Sequence, residues 1–171
     1  MPHHSSVTKF SVACQKGINE QIHAELSAAY VYQTLYAYFD RHDVALTNVA
    51  SFFKKSCEEE REHADKFLRY LNRRGGTVVF YEIKTVELKS MTVSKAFEQA
   101  LELEKQVHQK ILALYQIATG ENEYHLLDFL ESEFLDEQVR AEDELVRLIT
   151  NIKRVGDGLG EFMFDQQLKK E

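Results

Sequence analysis

Apolar residues recur at helical spacing along four long stretches of the chain. The stretches cover about residues 10–39, 45–73, 92–119 and 124–154, and a shorter one follows at about 160–169. Plotted at about 100° per residue, the apolar positions of each long stretch share one sector of the helix surface. The pattern predicts four long amphipathic helices followed by a short fifth one.

The segments between the predicted helices differ in length, and the lengths indicate the topology. Asp40–Asp43 is a brief link, so the first two helices should run antiparallel. The chain from Arg74 to Met91 is much longer and passes through the β-rich residues 77–81. A helix of about 28 residues is ~42 Å long, and about 18 extended residues reach up to ~60 Å. The sequence therefore predicts a four-helix bundle with one long crossover.

Composition narrows the classes of function. The chain has 171 residues, which fit one domain over residues 1–171. Its 28 acidic and 21 basic residues give a net charge of -7, which argues against non-specific binding of nucleic acid. Its two cysteines, Cys14 and Cys57, form neither a disulfide framework nor a zinc ribbon and should be buried thiols.

The sequence shows no recognisable targeting signal. The opening residues MPHHSSVTKF lack the apolar core of a signal peptide. No apolar run approaches the ~20 residues that a membrane-spanning helix needs. We therefore expect a cytoplasmic protein that contacts no membrane.

Each long helix carries polar side chains inside its apolar sector. Those aimed at the bundle axis are Glu25, Glu60, Glu104, His108 and Gln138. His63 lies on the flank of the sector of the second helix, one turn after Glu60. Each helix places its polar residue close to its own midpoint, so the four positions share one height whichever way the helices run.

Carboxylates inside a helical bundle need compensation. An unpaired carboxylate moved from water into a core costs several kcal/mol or more, and no lysine or arginine lies in the four inner sectors. Three carboxylates, an imidazole and a carboxamide suit iron or manganese better than structural zinc. The alternative is a set of hydrogen bonds to Gln138, Tyr32 and buried water that holds the carboxylates without a metal.

Several motifs resemble those of the ferritin family, specifically its catalytic heavy-chain type. They are Glu25–Tyr32, Tyr38–Arg41, Asp43–Leu46, Glu59–Ala64, Arg74–Gly76, Leu103–Lys105 and Asp136–Val139. The resemblance covers nearly the whole chain. It implies an all-α, ferritin-like four-helix bundle with one long crossover and a short fifth C-terminal helix.

The resemblance also implies a set of catalytic residues. They are Glu25, Tyr32, Glu60, His63, Glu104 and Gln138. Ferritin-like di-iron bundles carry two Glu-x-x-His pairs, whereas this chain has one, with Gln138 and Ala141 at the second place, as in eukaryotic ferritins. The implied arrangement has Glu60 bridging two iron ions, of which the second is held more weakly and is supported by Gln138.

The function implied by this resemblance is iron storage and detoxification. The protein would oxidise Fe(II) to Fe(III) with dioxygen at an intrasubunit centre for two iron ions. Ferric oxyhydroxide would then mineralise inside a hollow shell of 24 subunits, which can include other ferritin chains. Two alternatives are a light-chain-like structural subunit with little oxidase activity and a DNA-protecting mini-ferritin. The chain lacks the basic tail expected of the latter.

Two further acidic groups have counterparts in the family. Glu59 and Glu62, with Asp65 one turn on, correspond to cavity-facing carboxylates that move iron and nucleate mineral. Asp128 and Glu131 resemble the acidic rings of the three-fold iron channels. A solvated helix face, or acidic residues that complement a helix dipole, would place the same charges there. His108 matches no ligand of the family, and we expect it to be a hydrogen-bonded core histidine.

Overall fold

The computed structural model describes residues 10–88 and 90–168. Helices account for the long periodic stretches, and no strand occurs in these two ranges. The helices are α1 (Val12–Phe39), α2 (Thr47–Arg73), α3 (Val93–Gly120), α4 (Tyr124–Leu130), α5 (Asp136–Val155) and α6 (Leu159–Leu168). The expected all-α bundle with a short final helix is confirmed.

The fourth long helix is less regular than its apolar pattern predicts. A π-helical turn, Glu131–Leu135, joins α4 to α5. The stretch from Tyr124 to Val155 is thus one helical element with a wider turn inside it. A π-turn adds a residue to one turn and is frequent at functional sites. No proline or glycine interrupts residues 124–155, so the sequence carries no signal for this turn.

The long crossover lies along α1 as extended chain. Asn19 donates from Nδ2 to the Thr77 carbonyl at 3.0 Å and accepts at Oδ1 from the Val79 amide at 2.8 Å. Further along, the His23 ring lies 3.0 Å from the Glu82 carbonyl oxygen. Side chains of α1 therefore satisfy backbone groups of the crossover, which forms no strand despite its β-rich residues.

The α6 helix supplies caps for the starts of two long helices. The N-cap residue of α2 is Leu46, whose side chain forms no capping hydrogen bond. Instead Asp165 of α6 accepts at Oδ1 from the amides of Asn48 and Val49, both at 2.9 Å. Glu161 of α6 accepts from the Val93 amide at 3.2 Å, at the start of α3. Both carboxylates satisfy amides that a helix start leaves free, and both complement its dipole.

The apolar core forms two clusters with a polar level between them. One cluster contains Phe53 and Phe97, and the other contains Phe67 and Phe134. Along α2 the first cluster ends at Cys57 and the second begins at Phe67. The inward polar residues of α2 fall in this gap, and those of α3 and α5 lie between the two clusters in the same way. The core is therefore interrupted at mid-height.

None of the helices within residues 10–88 and 90–168 combines the length and the apolar character that a membrane crossing requires.

Candidate metal centre

Three buried side chains from two helices converge at mid-height in the bundle. Glu25 comes from α1, and Glu60 and His63 come from α2, one turn apart on the same face. One ligand atom from each lies within 4.8 Å of the others. His63 is 6% exposed and Glu60 4%, so the histidine is almost as buried as the carboxylate rather than on the flank.

Two oxygens at this point accept no hydrogen bond from a nitrogen or hydroxyl donor among the described residues. They are Oε2 of Glu25 and Oε2 of Glu60. No lysine or arginine of the described ranges forms an ion pair with either carboxyl, and His63 Nδ1 lies 3.7 Å from Glu60 Oε1. Buried polar atoms are almost always satisfied in folded proteins. Two adjacent exceptions beside an imidazole indicate a site that a cation completes.

The electrostatics of these carboxyls agree with that assignment. Burial raises the pKa of Glu25 well above its usual value, and the nearby Glu60 adds to the effect. Burial and then the charge of Glu104 raise the pKa of Glu60 to about 8. A bound divalent cation would favour the ionised carboxylates and offset this burial.

Glu104 of α3 is held differently. The Tyr32 hydroxyl donates to its Oε1, and Gln138 Nε2 lies 3.3 Å from its Oε2. Both oxygens of Glu104 therefore accept hydrogen bonds, although burial still raises its pKa. Hydrogen bonding thus accounts for Glu104 without a metal, whereas Glu25 and Glu60 can hydrogen-bond each other only through a proton held between two buried carboxyls.

A cavity of about 90 Å³ adjoins the group. Its inner wall includes Tyr32, Glu60, His63, Glu104 and Gln138. Its outer wall includes Glu59, Glu137 and Glu144, which are partly or largely exposed. The volume holds a few water molecules or small ions. Carboxylates line the cavity from the buried group to the protein surface.

Two residues of the site escaped the sequence analysis. Glu137 lies with Oε1 3.1 Å from His63 Nε2. With the proton on Nε2, the Nδ1 lone pair is free on the side of Glu60, as a metal ligand requires. Gln21, buried on α1, donates from Nε2 to Glu25 Oε1 at 2.7 Å. It lies four residues before Glu25 on the same helix face, and this spacing is the signal that could have revealed it.

The other acidic residues singled out in the sequence lie outside the buried group. Glu59 is half-exposed and pairs with Lys55 at 3.5 Å, and Glu62 is exposed. Asp128 is also exposed, as is Glu131, which accepts from the Tyr115 hydroxyl at 2.5 Å. Their side chains do not join the group formed by Glu25.

The sequence also led us to expect a core histidine at His108 and buried thiols at Cys14 and Cys57. His108 is hydrogen-bonded, with Nδ1 2.6 Å from Glu142 Oε1, but it is only partly buried and lies outside the cavity. Cys14 and Cys57 are free and buried, as expected.

The same chain matches known proteins over most of its length. A ferritin family model, described as a ferritin-like domain, matches residues 15–155. The middle subunit of ferritin from Aquarana catesbeiana is 48% identical over 162 residues, which cover 92% of each chain. The chain belongs to the ferritin family. The soma ferritin of Lymnaea stagnalis is 49% identical over 154 residues, which cover 90% of this chain and 88% of that one.

Ferritins of plants are similar as well. A chloroplastic ferritin from Malus baccata var. xiaojinensis is 48% identical over 160 residues, which cover 91% of this chain and 64% of that one. The family match runs from the first turn of α1 to the end of α5 and so includes every residue of the buried group. The α6 helix lies beyond the matched range.

Proposed function

We propose that this ferritin-family chain stores iron and is of the catalytic type, a ferroxidase that oxidises Fe(II) with dioxygen at a centre within each subunit. Family membership supports iron storage. The observation that carries the catalytic part is the pair of buried, unpartnered oxygens on Glu25 and Glu60 beside His63. A structural subunit would have no need to keep this costly arrangement in its core.

The proposed ligands divide between two positions for Fe(II), which is the substrate. Glu25, Glu60 and His63 would hold one ion, and Glu60 would bridge to a second. Glu104 would contribute to the second position with support from Gln138. Because both oxygens of Glu104 already accept hydrogen bonds, a second ion must compete with Tyr32 and Gln138 for them. The second position is therefore the weaker one, and weaker binding suits release of the oxidised product.

The chemistry needs two electrons for each dioxygen bound, and two Fe(II) ions supply one each. The chain itself contributes position, negative charge and a small cavity between the helices. His63, held at Nε2 by Glu137, keeps a fixed ring orientation. Tyr32 keeps the carboxylate of Glu104 in place.

The remaining proposals concern the assembly. Twenty-four copies would enclose a cavity in which ferric oxyhydroxide accumulates, alone or with other ferritin chains. Glu59 and Glu62 would move iron and nucleate mineral, and Asp128 and Glu131 would line channels that admit iron. We place the protein in the cytoplasm, although the relative from Malus is chloroplastic by name.

Removing the ligands tests the proposal directly. In a Glu60→Ala/His63→Ala variant, the initial rate of aerobic Fe(II) oxidation, followed by ferric absorbance, should fall at least about tenfold. Glu58→Ala removes an exposed carboxylate from the same turn of α2 and serves as the matched control. Equal rates in the double variant and the wild type would contradict the site assignment, and a wild-type rate no faster than that of Fe(II) without protein would indicate a structural subunit.

A further inference from the structure

Gln21 is a buried amide on α1 that the proposed ligand set does not include. Its side chain is 1% exposed and lies one helical turn before Glu25. From this position Nε2 donates a hydrogen bond to Glu25 Oε1 at 2.7 Å. Both residues belong to the same helix, so α1 itself brings the two side chains within reach of each other.

This hydrogen bond makes the two oxygens of Glu25 unequal. Oε1 accepts from Gln21, whereas Oε2 has no nitrogen or hydroxyl donor among the described residues. Glu25 itself is fully buried, so water from bulk solvent does not compete for either atom. A carboxylate held at one oxygen cannot rotate freely about its last bond. Its second oxygen is therefore presented in a defined direction.

We propose that Gln21 is a positioning residue that holds Glu25 through Oε1, so that Glu25 binds a divalent metal ion through Oε2. The inference rests on the proposed function, because it takes the group formed by Glu25, Glu60 and His63 as the metal site. Gln21 does not touch the metal and acts only through Glu25.

The neutral amide of Gln21 suits a donor to a metal-binding carboxylate. A lysine or arginine at this place would also donate to Glu25, but its positive charge would neutralise the carboxylate and repel a cation. A neutral amide fixes the oxygen and leaves the negative charge for the metal. The other side of the site uses the same device, since Gln138 Nε2 lies 3.3 Å from Glu104 Oε2. Without the donor, Glu25 would have to be ordered during binding, which weakens affinity.

The test compares metal binding in the assembled, metal-free wild type and in Gln21→Met, which keeps the size of the side chain and loses the donor. Co(II) is titrated and followed by calorimetry and by its visible absorption, which responds to coordination geometry. We expect Co(II) affinity to fall about tenfold with an altered visible band. The Fe(II) concentration for half-maximal oxidation should rise more than the maximal rate falls.

Asn19→Leu is the matched control for a loss of stability alone. Asn19 is also a buried amide of α1, but it binds the crossover instead of a candidate ligand. This variant should lower the thermal midpoint and leave Co(II) affinity unchanged. If Gln21→Met does not assemble, Gln21→Asn takes its place, because the shorter amide cannot reach Glu25 and should show the same loss.

The outcomes separate this inference from the proposed function. Wild-type Co(II) affinity in the Gln21 variant, together with lost binding in Glu60→Ala/His63→Ala, overturns the role of Gln21 and leaves the metal site standing. Unchanged binding in both overturns the metal site and the role of Gln21 with it. Equal losses of Co(II) affinity in the Gln21 and Asn19 variants would reduce Gln21 to a structural residue.

Discussion

At the scale of single residues, the site is a place where burial and charge conflict. Burial is the largest cause that raises the pKa of Glu25, Glu60 and Glu104. In the metal-free protein burial therefore makes each of these carboxyls harder to ionise than a carboxyl in water. Ionising them inside the fold costs stability.

Glu60 gives this conflict a measurable pH dependence. Its pKa rises from 4.5 to about 8, so between these values the folded chain keeps a proton that the unfolded chain has lost. The contribution of Glu60 to the stability of the metal-free protein should therefore fall as pH rises through this window and level off above it. Glu60→Gln removes the titration, and we expect it to flatten this fall by on the order of 2 kcal/mol.

Thermal or denaturant unfolding of the metal-free proteins at several pH values between about 5 and 9 measures this effect. Glu58→Gln is the control, since Glu58 is exposed on the same helix. Parallel stability curves for the wild type and Glu60→Gln would contradict the prediction.

Residue patterns predicted the inward carboxylates because a charged side chain inside an apolar sector is visible on a helical wheel. They could not predict how each carboxylate is held. The bonds from Tyr32 and Gln138 to Glu104, and the contact of Glu137 with His63, depend on side-chain directions between helices that are far apart in sequence. A wheel describes one helix at a time, so it cannot show these partners.

At the scale of helices, α2 begins without a cap of its own and takes one from α6. Asp165 is 2% exposed and accepts from two amides at the start of α2. Asp165→Ala should lower the free energy of unfolding by about 1–2 kcal/mol, because the two amides lose their acceptor in a buried place. Asp165→Asn keeps an acceptor and should cost less.

Chemical denaturation of the three proteins measures these differences, with Gln167→Ala, an exposed position of the same helix, as the control. Equal stability of Asp165→Ala and the control would show that the cap contributes nothing.

Helix periodicity predicted the five helical stretches to within a few residues, since long amphipathic patterns are strong signals. Helix periodicity could not predict the π-helical turn at Glu131–Leu135. An apolar sector looks almost the same with or without one wider turn. What decides between them is packing against the other helices, which sequence spacing does not contain.

At the scale of the whole molecule, large apolar side chains remain exposed on two segments. They are Val79, Phe80 and Tyr81 on the crossover and Leu159, Phe162 and Met163 on α6. Adjoining exposed apolar side chains are a common feature of surfaces that contact other chains. The proposed shell would cover these segments.

Size-exclusion chromatography tests the shell. Twenty-four chains of 19.9 kDa should elute near about half a megadalton, and Phe80→Gln, which removes the most exposed apolar side chain of the crossover, should shift part of the protein to smaller species. Lys84→Gln changes an exposed polar residue of the same segment and should not. A wild type that elutes as a monomer, dimer or dodecamer would contradict the 24-subunit proposal.

The capping contacts from α6 also affect the order in which the helix starts become stable during synthesis. Asn48 and Asp165 are 117 residues apart, and Val93 and Glu161 are 68 apart. A ribosome therefore finishes α2 and α3 well before it adds these two carboxylates. Contacts between such distant residues form late. We expect the start of α2 to stay frayed until α6 is made, whereas Thr92 already caps the start of α3.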